Sequence, residues 1–352
     1  MFYRESGQFK SSYQQDNQIF PIFQDRIGVG LLLFVAFLVL PFYANDYVFS
    51  AILIPFLILS LAALGLNILT GYAGQVSLGS AAFMAVGAFS AYNFMARLPG
   101  MPLLLAFVLG GLSAALVGVM FGLPSLRIRG FYLAASTLAT QFFVVWCLTK
   151  VPYFTYGSTS GVITVQKMVI FGYEFTTPPS KYLLTLCIVS VLALLAKNMV
   201  RSNVGRSWMA VRDMDVAAEV IGFRLMRTKL LAFAVSSFYC GVAGALYAFA
   251  YLGTVEPEAY SLELSFRILF MIIIGGIGSI LGSFLGAGFI ILLPIALNIL
   301  AHTFSLPTNI ASHLEQMVFG GLIVFFLIVE PHGLARLWQL LKEKLRLWPF
   351  PH

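Results

Sequence analysis

The sequence predicts an all-α polytopic membrane protein of about ten transmembrane helices, with an amphipathic helix on the cytoplasmic side. Three observations carry that prediction. Of 352 residues, 60% are hydrophobic and only 10% are charged, more apolar surface than a single water-soluble core buries. Uncharged stretches of roughly 18 or more residues recur, each long enough as helix, at ~1.5 Å per residue, to cross a ~30 Å hydrocarbon layer. One island of charge, Arg201 to Lys229, reading RSNVGRSWMAVRDMDVAAEVIGFRLMRTK, interrupts them in the second half.

Residues 1–26 are polar and mixed in charge, and the apolar stretch after them has no small-residue cleavage site, so they read as a retained cytoplasmic segment. Residues 27–330 form the transmembrane domain. Its candidate spans are Ile27 to Tyr43, Val48 to Leu69, Ala81 to Ala96, Pro102 to Leu123, Phe131 to Leu148, Tyr182 to Val200, Leu230 to Tyr251, Leu264 to Ile280, Phe284 to Leu300 and Met317 to Val329. After Arg267 one uncharged run continues past His302. It holds either two spans joined by a short turn near Gly278 to Gly282, or one long broken span, which makes nine. Residues 331–352 are a basic tail interspersed with Leu and Trp; as a short helix it would lie at an anionic inner leaflet.

Orientation follows from Lys and Arg, which collect in short cytoplasmic loops. With the amino terminus inside, only Arg97, Lys150, Lys167, Lys181 and Arg267 of the 21 Lys and Arg residues fall outside. The net charge of +7 is therefore a signal of topology, and no nucleic-acid partner is expected. Cys147, Cys187 and Cys240 lie in separate spans without metal or disulfide spacing.

Three segments stand out within this frame. From Gly71 to Gly79, three glycines with Gln75 and Ser77 can break a helix at membrane depth, which lipid tolerates only where the released backbone groups face protein or a water-filled cavity. Such breaks often line a substrate route, although helix packing or a turn accounts for the composition equally well. Gly278, Gly282 and Gly286 recur every four residues, a spacing that lets helices approach closely. Within the charged island, Ser207 to Ile221 is expected to form one amphipathic helix with Trp208, Val211, Asp215, Ala218 and Ile221 on a shared face, ended by Gly222. Ala217 and Ala218 would admit another backbone, while Arg212, Asp213 and Glu219 supply charge for register.

These residues resemble a known family. Val204-Gly205-Arg206, Ala210-Val211-Arg212, Ala217-Ala218, Gly222, Lys229 and Ala232-Phe233 look like the cytoplasmic coupling segment of LIV-type ABC importer permeases, in the M-subunit branch, which serve branched-chain amino acids. Further matches are LNILTGYAGQVSLG from Leu66 to Gly79, LRIRGFYLA from Leu126 to Ala134, and Gly275-Gly276-Ile277-Gly278-Ser279, so the resemblance covers about Leu61 to Gly288. It implies an inner-membrane permease subunit that is not itself an enzyme. It also implies a second homologous permease chain, two ATP-binding subunits and an external substrate-binding protein. On this resemblance Arg206, Arg212, Asp213, Ala217, Ala218, Glu219 and Gly222 form the ATPase-coupling set. Ser80 stands where many relatives carry His, and the outer loop from Val151 to Tyr156 is unusually aromatic, two departures that bear on the substrate.

No catalytic constellation, metal-binding motif or cofactor motif is present: there is no GxxxxGK[ST] to cradle ATP and no HExxH. GGIGSILG lacks the third glycine of a dinucleotide loop. The route is assigned to Tyr72, Gln75 and Ser77 in the Gly71 to Gly79 segment and to Ser136, Thr137 and Gln141, polar residues on an otherwise apolar span. A urea or amide permease of the same broad family would read similarly. An ion-coupled carrier remains the rival mechanism, weakened by the lack of Asp or Glu near span midpoints. Glu263 and Arg267, one turn apart, are expected to pair.

Overall fold

The structure is a computed structural model that describes residues 11–12, 23–125, 131–158, 161–170, 172–303, 317–318, 320–322, 324–326, 328 and 333–347. Nine of its helices correspond to the first nine expected spans. They are α1 (Asp25–Tyr43), α2 (Val48–Tyr72), α3 (Ser80–Arg97), α4 (Leu103–Ser125), α5 (Phe131–Lys150), α6 (Pro178–Arg201), α9 (Leu225–Leu252), α10 (Leu262–Gly275) and α11 (Ile280–Thr303). Between α6 and α9 lie two short helices, α7 (Asn203–Asp213) and α8 (Asp215–Val220), and α12 (Gly333–Leu347) follows. The tenth candidate, Met317 to Val329, falls only partly within the described residues; most of 1–26, and Leu126 to Gly130 of the LRIRGFYLA motif, fall outside them.

Seven of the described helices, α1, α2, α4, α5, α6, α9 and α11, are long and apolar enough to cross a membrane. Neither α3 nor α10 meets that measure, for different physical reasons. α10 has only 14 residues, and α3 carries Asn93 and Arg97 in its second half. The run after Arg267 resolves into two helices, with the turn between Gly275 and Ile280. Gly276 and Gly278 occupy the turn at φ 121° and 79°, a region that glycine alone enters without a Cβ penalty.

α9 is the central post, packed along α2, α3 and α4, while α10 and α11 pair beside α2. Without water between helices there is no hydrophobic drive to pair them, so fit decides, and here glycine provides it. A Cβ placed on Gly110 would lie 2.7 Å from the Gly87 carbonyl, and one on Gly65 would lie 2.8 Å from Tyr239 Cβ. Phe89, Phe107, Phe233 and Phe249 fill the space between these contacts. Leu31, Leu32 and Leu38 of α1 and Leu104, Val108, Leu112 and Leu116 of α4 remain exposed, forming apolar faces suited to lipid or a neighbouring subunit.

The connection between α5 and α6 forms two small antiparallel pairings, Ile163–Thr164 with Thr254–Val255 and Val169–Ile170 with Tyr173–Glu174. At the carboxyl end of α3, Arg97 donates 2.7 Å to the Tyr153 carbonyl and lies 3.6 Å from the centre of that ring. Glu263 and Arg267 do not form the expected ion pair; both point to the exposed side.

Candidate functional site

The charged island folds into an elbow rather than the single helix expected from Ser207 to Ile221. Met214 takes an extended conformation, φ −158° and ψ 95°, and ends α7 before α8 begins. Asp213 and Asp215 flank it, short polar residues that favour helix ends over interiors. The break changes the phase of the apolar pattern. Trp208, Val211 and Ala218 are buried as the spacing implies, but Ile221 is 76% exposed.

Each part of the elbow is pinned to the bundle. Ser202 caps α7 by accepting from the Val204 amide at 3.2 Å. The fully buried Trp208 ring donates its Nε1–H to the Thr228 carbonyl at 3.1 Å, and Lys229 lies 3.9 Å from Asp215. At the far end Gly222, at φ 101°, lets its own amide bond to Glu219 O and the Phe223 amide to Ala218 O, the paired closure that satisfies the last carbonyls of α8. Ala218 therefore faces its own chain. A Cβ at Gly222 would meet nothing within 4 Å. Arg206 bonds to Asn203; Glu219 and Asp213 are exposed, and Ala217 is half-buried.

Arg212 turns inward. Its Nη1 donates to the Gly71 carbonyl at 2.8 Å, while Nε and Nη2 hold Asp213 Oδ1 at 2.8 Å. Gly71 belongs to the last, π-helical turn of α2, from Ile68 to Tyr72, where widened winding releases carbonyls from the regular ladder. One turn earlier, the buried Asn67 donates to Ser279 O at 2.8 Å and Ser283 Oγ at 2.9 Å, and accepts from the Gly278 amide at 2.8 Å. The end of α2, the α10–α11 turn and the elbow thus meet at one joint.

From that joint residues 73–79 leave the helix and run to α3. Burial alternates along them: Gln75 and Ser77 face inward, while Gly74 and Val76 face outward. The first turn of α3 has no side-chain cap from its own segment, and two of its amides are satisfied by other helices instead. Ala81 N donates to Ser265 Oγ at 2.9 Å and Ala82 N to Gln141 Oε1 at 2.6 Å, while Leu78 N, just before the helix, donates to Thr137 Oγ1 at 2.9 Å. Gln141 Nε2 in turn donates to Tyr260 O at 2.8 Å. Thr137 and Gln141 sit midway along α5, so the chain is anchored there at the depth of that helix's middle.

The structure therefore brings Gln75, Ser77, Thr137 and Gln141 around one break. Ser136 is half-buried beside them on α5, and Tyr72 lies at the joint, its hydroxyl meeting the Ile280 backbone. Among the described residues Gln75 Oε1 and Ser80 Oγ, with Ser237 Oγ on α9, are the buried side-chain atoms without a hydrogen-bond partner. Asn67 and Ser265 escaped the sequence reading. Asn67 had a usable signal, a lone amide in an apolar run, whereas Ser265 had none beyond its place in a first turn. Val76, 44% exposed next to the buried pair, is a single Val in an apolar chain and carries no local signal of its own.

Membrane-length helices, one of them broken and held at its broken end by an arginine from the charged elbow, define a multi-pass helical membrane protein. The family described as branched-chain amino acid transport system / permease component matches residues 48–327, and the chain belongs to that family. It is similar to the high-affinity branched-chain amino acid transport system permease protein LivM of Escherichia coli K12, 30% identical over 294 residues. That match covers 77% of this chain and 66% of the relative, so the chain spans just under two thirds of that relative's length. It is also similar to the probable branched-chain amino acid transport permease protein LivM of Methanocaldococcus jannaschii, 23% identical, with 81% and 92% of the two chains covered. A probable ABC transporter permease of Sinorhizobium fredii, y4mJ, is 28% identical, with 64% and 67% covered. No solved structure matches the chain.

Proposed function

We propose that the chain is the permease subunit of an ABC importer of the bacterial inner membrane, which moves a branched-chain amino acid inward using ATP hydrolysed on separate subunits. The observation that carries this reading is the outer face of the elbow. Met214, Val216, Val220 and Ile221 are 67%, 62%, 85% and 76% exposed, an apolar cluster on a segment that the charge distribution assigns to the cytoplasm. Isolated apolar residues at a surface need no explanation, but four on one six-residue helix and its flanks make a buried interface core when a partner closes over them. Arg206, Asp213 and Glu219 are exposed near that face and supply the charged rim that fixes register.

The mechanism follows from the joint. Two ATP-binding subunits that close on ATP displace the elbow; Arg212 passes the displacement to Gly71, and Asn67 carries it to the α10–α11 turn. The break from residue 73 to residue 79 then opens or closes the route lined by Tyr72, Gln75, Ser77, Ser136, Thr137 and Gln141, with Val76 presenting an apolar surface. A second, homologous permease chain forms the other wall, and an external binding protein delivers the cargo.

The test is uptake of labelled leucine by cells that express the chain with its partner subunits, with and without the ATP-binding pair. The expected result is loss of uptake without the pair, and loss of ATP-binding subunit co-purification when Val220→Asp and Ile221→Asp are combined. Uptake that persists without the pair and collapses with an ionophore overturns the proposal in favour of an ion-coupled carrier.

A further inference from the structure

The helix α12 has three distinct sides, and the transport reading uses none of them. Its start is seated on the joint: Gly333 has φ 67°, and a Cβ there would lie 2.6 Å from both the Gly276 amide and the Ile274 carbonyl, at the α10–α11 turn. The inward side carries Ala335, 5% exposed, and Lys342, whose Nζ reaches Asp25 Oδ1 of α1 at 2.9 Å. These two residues are seven apart, two helical turns, and so share a face. At 100° per residue, Leu337, Trp338, Leu340 and Leu341 gather on a second side, 45%, 45%, 40% and 48% exposed. Arg336, Gln339 and Glu343 occupy the third side, while Lys344 lies within the apolar arc between Leu340 and Leu337, where its aliphatic stem can run along the leucines and its amine reach the surface.

We propose that the apolar side of α12 is a docking surface for the anionic cytoplasmic leaflet of the membrane. The depth fits: α12 is tied to the ends of α1, α10 and α11, all read as spans, at the same end where the elbow meets α2. The charge also fits, since α12 carries Arg336, Lys342, Lys344 and Arg346 against the single acid Glu343. A helix with a strongly polar side, basic residues and Trp and Leu opposite lies in the interface plane, with its apolar side among the acyl chains and its cations at the headgroups. Lipid bound there holds the α10–α11 turn through Gly333, and through that turn the joint at Asn67 and Gly71. The proposal stands independently of cargo and ATPase.

The experiment uses the full chain with Cys147, Cys187 and Cys240 replaced by Ala, and a spin label placed singly at Trp338→Cys, Leu341→Cys or Gln339→Cys. Each protein is reconstituted in vesicles of phosphatidylcholine with phosphatidylglycerol at three to one, and in phosphatidylcholine alone. The expected result is greater collision with oxygen than with a water-soluble nickel chelate at 338 and 341, and the reverse at 339. Omitting phosphatidylglycerol should reduce that contrast several-fold. Chelate access at 338 and 341 equal to that at 339 overturns the proposal, as does closure of 338 and 341 to both reagents, which would mean a protein cover. An unchanged contrast in phosphatidylcholine alone overturns the anionic selectivity. If the cysteine-free chain does not insert, quenching of intrinsic fluorescence by acyl-brominated phosphatidylglycerol decides the matter: Trp338→Phe must remove part of the quenching seen in the unaltered protein, and no change refutes the docking.

Discussion

Arg212→Ala removes the one direct hydrogen bond described between the elbow and the end of α2, the 2.8 Å contact from Nη1 to the Gly71 carbonyl. Hydrogen bonds with a charged partner contribute about 1.5–3 kcal/mol. Arg212 is 37% exposed at its side chain and already shared with Asp213, so the lower end, about 1.5 kcal/mol, is the appropriate figure. That corresponds to about a tenfold shift between a joint that follows the elbow and one that does not. In proteoliposomes holding the full complex, the ratio of leucine taken up to ATP hydrolysed should fall about tenfold. Arg212→Lys keeps a cation but loses the second donor to Asp213, so it should recover part of the ratio. A ratio within twofold of the unaltered complex would refute the transmission argument, however well the complex assembles.

Gly74→Ala should reproduce the same loss from the other side of the contact, because Gly74 has φ 69° and its added Cβ would fall 2.8 Å from Arg212 Cγ; uptake per ATP is again the readout. Gln141→Leu leaves Ala82 N and Tyr260 O without their buried partners, at about 1–3 kcal/mol for each stranded group, and should lower the thermal midpoint of the purified chain by several degrees. In Gly244→Leu the side chain would be driven into the Met84 backbone where α9 crosses α3, so the monodisperse fraction on size exclusion should be lost.

Much of this architecture is written in the order of the residues. Spans are set by runs of apolar side chains, and a run is a local property, so the first nine expected helices lie within about five residues of their observed ends; the widest differences are the start of α9, Leu225 against Leu230, and the end of α10, which stops at Gly275 while the apolar run continues into α11. The break after Gly71 is one of two readings that its composition allows, since glycines with Gln and Ser can interrupt a helix at membrane depth but also serve packing or a turn. Two features were not legible. The bend at Met214 lies between Asp213 and Asp215 on a segment that Trp208 ties to Thr228, and an amphipathic pattern alone extends through it. Arg212 reads as a docking charge because nothing near it says that a carbonyl 141 positions earlier will be within reach. Contacts of that separation are products of packing, which one-dimensional periodicity does not encode.

The capping of α3 has a consequence for how the chain is made. Its opening amides are answered by Gln141 and by Ser265, the latter 184 positions downstream. During synthesis α3 therefore emerges long before its terminus can be completed, and those groups must stay hydrated or borrow temporary acceptors until α10 arrives. Biogenesis then has a late locking step, in which a segment from the second half completes an earlier one. Agents that hold nascent helices apart should matter most in that interval.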